Sequence, residues 1–227
     1  NNGKGNFKKS TNSLPEMRMS KSCIRVNDIN GDGFPDLFVG GRVIPGNYPE
    51  VPESYILIND GKGHFSDQTA TIAPELQRIG MVTDAVWIDL NGDHKKDLIV
   101  VGEWMPVTVF INENSKLTNK TKSYFDENYS GWWNKILAED MNNDEKIDLV
   151  IGNLGLNSQC KASDQEPAEM YYKDFANNGT VNPILCFYIQ HKSYPYVTRD
   201  ELLDQISVMR FRFPDYKSYA DATITDI

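Results

Sequence analysis

An aspartate-rich loop that recurs, an apolar run after each copy and a second turn motif between copies together predict an all-β chain. Its expected architecture is three to four β-propeller blades with a helical insertion near the C-terminus. The loop reads "DINGDGFPDLFVGG" from Asp28, "DLNGDHKKDLIVVG" from Asp89 and "DMNNDEKIDLVIG" from Asp140. The common pattern is Asp-x-Asn-x-Asp-x-x-x-Asp, then apolar residues and a glycine. An eroded fourth copy, "DFANNGTVNPILCFY" from Asp174, carries Ala176, Asn178 and Asn182 at three of the four ligand-type positions. Starts at 28, 89, 140 and 174 lie 61, 51 and 34 residues apart. The turn motif is "NNGKGNF" at Asn1 and "NDGKGHF" at Asn59, with a drifted copy, "VFINENSKLTNKT", from Val109.

Taken in chain order, "DLFVGG", "SYILIN", "TDAVWID", "DLIVVG", "VTVFIN" and "DLVIG" are short, rich in β-branched or aromatic residues and bounded by Gly, Asn and Asp. They read as strands. Asn-Asp-Gly inside "NDGKGHF" is a hairpin signal. Several antiparallel strands joined by tight turns make a blade; a sandwich of about 100 residues leaves the paired motifs unexplained. The pattern changes near the C-terminus. Thr198 and Glu201 form a capping box, and Leu202, Ile206, Met209 and Phe213 follow at helical spacing before Pro214. A helix from about 199 to 212 is expected, its apolar stripe serving as a packing face. Residues 1–190 thus read as blades with aspartate loops. Residues 191–227 read as a helical insertion or inter-blade segment of the same domain.

The chain of 227 residues is 40% apolar, enough to bury a core. A net charge of -9 argues against nucleic acid and anionic membrane surfaces and suits divalent cations. No apolar run reaches about 18 residues, so no membrane-spanning segment is expected. The chain begins "NNGKGNF" without a signal-peptide pattern and is expected to be a processed product or a piece of a longer protein. Cys23, Cys160 and Cys186 are odd in number, lack zinc-type spacing and read as small buried hydrophobes. His64, His94 and His191 are scattered, and no nucleophile signature such as G-x-S-x-G is present. The acidic pairs belong to the repeat, so no glycosidase pair is assigned.

The aspartate loops are candidate metal sites. Positions 1, 3, 5 and 9 offer side-chain oxygens and position 7 a backbone carbonyl. The first loop supplies Asp28, Asn30, Asp32, Phe34 and Asp36. The second supplies Asp89, Asn91, Asp93, Lys95 and Asp97, and the third Asp140, Asn142, Asp144, Lys146 and Asp148. Hard oxygen donors in a flexible loop suit Ca2+, up to three ions in all; zinc would want His or Cys. An EF-hand is rejected, because Val39, Val100 and Ile151 stand where its bidentate Glu belongs and strands, not helices, follow. The competing reading is a metal-free Asx turn, since Asp, Asn and Gly are common turn residues. Gly31 and Gly33 make the first loop the best expected site; His94 weakens the second and Glu145 the third.

These loops resemble the FG-GAP/VCBS repeats of integrin-α-like β-propellers, over roughly residues 1–190. "VVGEWMPVTVF", "SGWWNKI", "GNLGLNS" and "YVTRDELL" look, more narrowly, like bacterial surface or secreted proteins that often also carry an ASPIC/UnbV segment. The resemblance implies calcium in the loops and an extracytoplasmic binding or adhesion scaffold with a protein or glycan partner at the cell surface. It also implies a ring of usually seven blades, the remainder supplied by a longer chain; a compact four-bladed ring is the alternative. Trp104, Trp132 and Trp133, with Glu103, Asn153, Asn157 and Arg199 near them in sequence, are candidate ligand-binding residues. The tryptophans could equally fill wedges between blades. A calcium-dependent polysaccharide lyase or hydrolase on the same scaffold is the competing function, and a ligand-free stalk a third.

Overall fold

Every apolar run that the sequence marks as extended is a strand. The computed structural model describes residues 3–175 and 177–227; Asn1 and Asn2 of the first turn motif and Ala176 of the eroded loop lie outside the described residues. β1 (Ser20–Asn27) enters the first aspartate loop and β2 (Asp36–Val43) leaves it. With β3 (Tyr55–Asn59) and β4 (Phe65–Asp67) they form a sheet of order β1-β2-β3-β4. β5 (Met81–Ile88), β6 (Asp97–Pro106), β7 (Thr108–Glu113) and β8 (Lys116–Asn119) repeat that order around the second loop. β9 (Ser130–Glu139) and β10 (Asp148–Asn153) flank the third loop, and β9 pairs with the far end of β6, Met105 opposite Gly131. β11 (Glu169–Lys173), β12 (Asn182–Ile189) and β13 (Lys192–Pro195) form a separate antiparallel sheet. The protein is therefore all-β, built of antiparallel blade-like sheets with a few short helices.

The chain forms two compact units. One comprises Val51–Asn153 and the chain up to Arg42; the other comprises Val43–Glu50 and Leu154–Ile227. In the first unit β6 shows why these segments fold as blades. Leu98 and Val100 enter one apolar cluster with Phe38, Ile56, Val82 and Phe110, while Ile99 and Val101 enter another with Val107, Val109, Ile111 and Ile136. Alternate residues of one strand thus serve opposite faces, and all four are fully buried. Each such side chain contributes about 1.5–3 kcal/mol on burial. A smaller cluster of Val39, Tyr55 and Leu57 covers the outer face of the first sheet.

The glycine that ends each of the first two apolar runs has a packing reason. A Cβ on Gly41 would lie 2.3 Å from the Glu53 carbonyl oxygen, and one on Gly102 would lie 2.3 Å from that of Met81. Gly152, which ends the third run one position earlier, faces open space.

In the second unit the expected helix is present but shorter. The capping box forms as its residues suggest, and the α-helix spans Arg199–Gln205. Ile206 then leaves helical geometry at φ -131° and ψ 80°, and a 3-10 turn follows over Ser207–Phe211. The continuous helix to 212 is thereby corrected. The break lets Ile206 join Leu202, Phe213, Ala222, Ile184 and Cys186 in one cluster. Ahead of that helix, Lys192–Pro195 is a strand. Gln190 and His191 both take positive φ, 50° and 65°, and close a tight hairpin onto β12. Cys23 and Cys186 are buried as expected, Cys160 is only half-buried, and all three thiols are free.

Gly102→Ala is expected to lower the unfolding free energy by about 2–3 kcal/mol in urea denaturation, since the Met81 backbone must move. Gly152→Ala should stay within about 0.5 kcal/mol. Equal effects at the two positions would remove the packing reason given for the repeated glycine.

Candidate functional site

Each aspartate loop is folded by its own side chains. In the first, Asp28 Oδ1 accepts the N–H of Gly31 (2.8 Å) and Asp32 (3.1 Å), and Oδ2 accepts that of Gly33 (2.8 Å). Asn30 Oδ1 accepts from Asp32 N (3.0 Å) and Asp32 Oδ1 from Phe34 N (2.8 Å). The second loop repeats this with Asp89 holding Gly92 and His94, Asn91 holding Asp93, and Asp93 holding Lys95. In the third, Asp140 holds Asp144 and Glu145, Asn142 holds Asp144, and Asp144 holds Lys146. The eroded copy keeps the same form with one carboxylate. Asp174 holds Asn178 and Gly179, and Asn178 holds Thr180. Local side-chain acceptors, rather than the number of charges, therefore set the loop's shape.

That shape demands left-handed backbone at position 6. Gly33 (φ 87°) and Gly179 (81°) meet it without strain, whereas His94 and Glu145 are held at 65°. At position 4, Gly31, Gly92 and Asn143 are left-handed as well.

Position 9 has a different task. Asp36 and Asp97 are fully buried, each the first residue of the outgoing strand. Asp36 Oδ2 accepts from Ile29 N at the loop's start, and Oδ1 from Asn59 N at the end of β3, both at 2.9 Å. Asp97 does the same with Leu90 N (2.9 Å) and Asn112 N (2.8 Å) on β7. Half-buried Asp148 holds Met141 N at 3.0 Å. Burial pushes the Asp36 and Asp97 carboxyls above the ordinary range; the two N–H donors pull back, and the loop's other aspartates add to the rise. At Asp89 burial also pushes upward, but the N–H groups of Gly92, His94, Asp93 and Asn91 outweigh it and leave that carboxyl low.

As donors, these loops fit a hard dication by chemistry. Asp28, Asp32, Asp93 and Asp144 are exposed at the tips, no nitrogen or sulfur ligand intrudes, and a carboxylate oxygen that accepts one N–H keeps a second lone pair. Among the described residues, no three His, Cys, Asp or Glu side chains converge as a ready-made metal cluster. Asn30 Nδ2 donates to Asp32 Oδ2 (2.8 Å), and Asn142 Nδ2 donates to Asp144 Oδ2 (3.2 Å). The backbone carbonyls of Phe34, Lys95 and Lys146 complete the candidate set.

The opposite ends of the same strands gather several of the candidate ligand residues. Glu103 is buried and receives both Nη groups of Arg42, one at 3.1 Å. Glu103 lies opposite Trp132, and the register slips before Met105, leaving Trp104 in a bulge with φ 57°. The Trp104 and Trp132 rings lie 5.4 Å apart at 56°. Exposed Asn153 accepts the Trp132 N–H through Oδ1 (3.2 Å). Trp133 differs: it packs on an apolar cluster, lies against Gly131 and donates Nε1–H to the Tyr129 carbonyl (3.1 Å). Asn157 and Arg199 belong to the second unit, where the Arg199 guanidinium is committed to Phe213 O, Pro214 O and Asp200.

Two residues of consequence escape sequence reading. Arg42 could have been found by register, because Arg42 and Glu103 stand at the same position of their repeats, each after a glycine. Asp84 gives no such signal. It is buried on β5, paired with Arg25 of β1 and with Lys135 of β9 (3.3 Å), and so ties three successive blades.

Two comparisons bear on this geometry. A family model described as FG-GAP-like repeat matches residues 28–100 and again 89–151, each match running from one aspartate loop through the apolar run of the next. No curated protein matches the chain.

Replacing His94 or Glu145 by Gly is expected to raise stability by about 1 kcal/mol each, read as a higher urea midpoint. Asp97→Asn should cost about 2–3 kcal/mol, because one buried N–H then faces an amide NH2, and Asp148→Asn only about 1 kcal/mol. Equal losses at 97 and 148 would contradict the clamp.

Proposed function

The chain belongs to the FG-GAP-like repeat family, and from that premise we propose that it is a calcium-binding recognition module. It is a non-catalytic binder of protein or glycan that works outside the cytoplasm. The observation that carries the calcium reading is the same all-oxygen donor set at three hairpin tips. Asp28, Asn30, Asp32, Asp36 and the Phe34 carbonyl would hold the first ion. The second would take Asp89, Asn91, Asp93, Asp97 and the Lys95 carbonyl, and the third Asp140, Asn142, Asp144, Asp148 and the Lys146 carbonyl. When bound, calcium offsets the repulsion among three carboxylates and links the loop's exposed tip to the strand that leaves it. The extracytoplasmic setting is typical of this family, and weak calcium sites suit extracellular modules. No helix among the described residues is long and apolar enough to cross a membrane.

Calcium at about 1 mM is expected to stabilise the fold by about 1.4 kcal/mol per site if the dissociation constant is about 0.1 mM. Differential scanning calorimetry with calcium and then EGTA checks this. Asp32→Asn, which keeps an acceptor for Phe34 N, should remove the largest single increment. A melting curve that neither reagent moves would refute calcium binding. Release of unsaturated or reducing ends from a polysaccharide panel would replace the non-catalytic reading with a lyase or hydrolase.

A further inference from the structure

Four tryptophans divide into two kinds. Trp87 and Trp133 pack against apolar clusters, as wedge-filling residues do. Trp104 and Trp132 belong to no such cluster; they pack on each other, half-buried, at the strand ends away from the aspartate loops. The backbone bears strain to arrange this. A bulky residue in the left-handed region is unfavourable, and Trp104 occupies it inside a β-bulge. A Gly at 104 would make the same bulge more easily, so the turn by itself does not call for an indole.

The surroundings narrow the ligand. Glu103 beside the pair is spent on Arg42, so the site offers little net negative charge to a cation. Backbone augmentation by an extended peptide is blocked there, because Glu103 is already paired with Met81 on one side and Trp132 on the other. What remains is an aromatic platform bordered by the exposed Asn153 amide and the partly exposed Arg42 guanidinium, both hydrogen-bond donors. Apolar faces with hydroxyls at the rim match that combination.

We propose that Trp104 and Trp132 form a stacking platform for a neutral pyranose ring, with Asn153 and Arg42 donating to its hydroxyls. This rests on the recognition reading above and specifies its ligand as an uncharged glycan. Tryptophan fluorescence and calorimetric titration of the calcium-loaded protein with cellohexaose, laminarihexaose, xylohexaose and maltohexaose test it, with a proline-rich decapeptide as the competing probe. Binding of at least one oligosaccharide is expected. Trp132→Ala should weaken it at least tenfold and Trp132→Phe less. Trp104→Gly relieves the backbone strain, so it should hold or raise the melting temperature while also weakening binding at least tenfold. Oligosaccharide binding that both tryptophan variants leave intact would overturn the platform and leave the recognition module standing. So would capture of the decapeptide alone. No binding of any of the four sugars, in a protein that calcium stabilises, would overturn the glycan assignment while sparing the calcium scaffold.

Discussion

One buried carboxylate in each of the first two blades organises the first unit. Asp36 and Asp97 each join the start of an aspartate loop to the strand that leads into the next turn motif, through two backbone N–H groups. A buried aspartate is expensive unless its oxygens are satisfied, and two well-placed donors make the arrangement tolerable. The consequence is geometric. Loop, outgoing strand and third strand are fixed together at a single point, so the two sequence motifs must occur in alternation for either to be useful. Asn112 extends the linkage between blades, since its Nδ2 donates to the Ile29 carbonyl inside the first loop (3.1 Å).

Strand alternation then separates tasks along each blade. One end of β2, β6 and β10 carries acidic tips shaped by short-range hydrogen bonds; the other carries Arg42 and Glu103 at the same repeat position, and Asn153 one position earlier. Between them the apolar runs of β2 and β6 are buried on two faces, which leaves little freedom for their ends to move independently; in β10 Val150 stays exposed. Across the blades, Asp84 collects Arg25 and Lys135 and also accepts from Ile136 N (3.4 Å), so neighbouring inner strands share one charged junction.

Much of this was legible in the residues, because the repeat reports on itself. The strands follow from β-branched runs between Gly and Asn, and the left-handed positions from the glycines of the first loop. The helix start at Thr198 follows from its capping box. What escaped has physical causes. Helical spacing from Leu202 to Phe213 is served by two short helices, because Ile206 gains more from the apolar cluster than from one further helical bond. Gln190 and His191 are not typical hairpin-turn residues, so β13 carried no local signature. Position 9 of the loop reads in the sequence as a ligand alone, and only burial reveals that it is also a clamp. The tryptophans were identical in type, and only packing sorted Trp87 and Trp133 from Trp104 and Trp132.

The fourth tip keeps the contour of the other three although Asp174 is the only one of its four ligand-type positions that is a carboxylate. Contour and charge are thus separable properties of this hairpin. A chain organised this way can lose or regain acidity at one tip without refolding the blade behind it. The acidity that each tip offers becomes a matter of surface decoration, open to revision one side chain at a time.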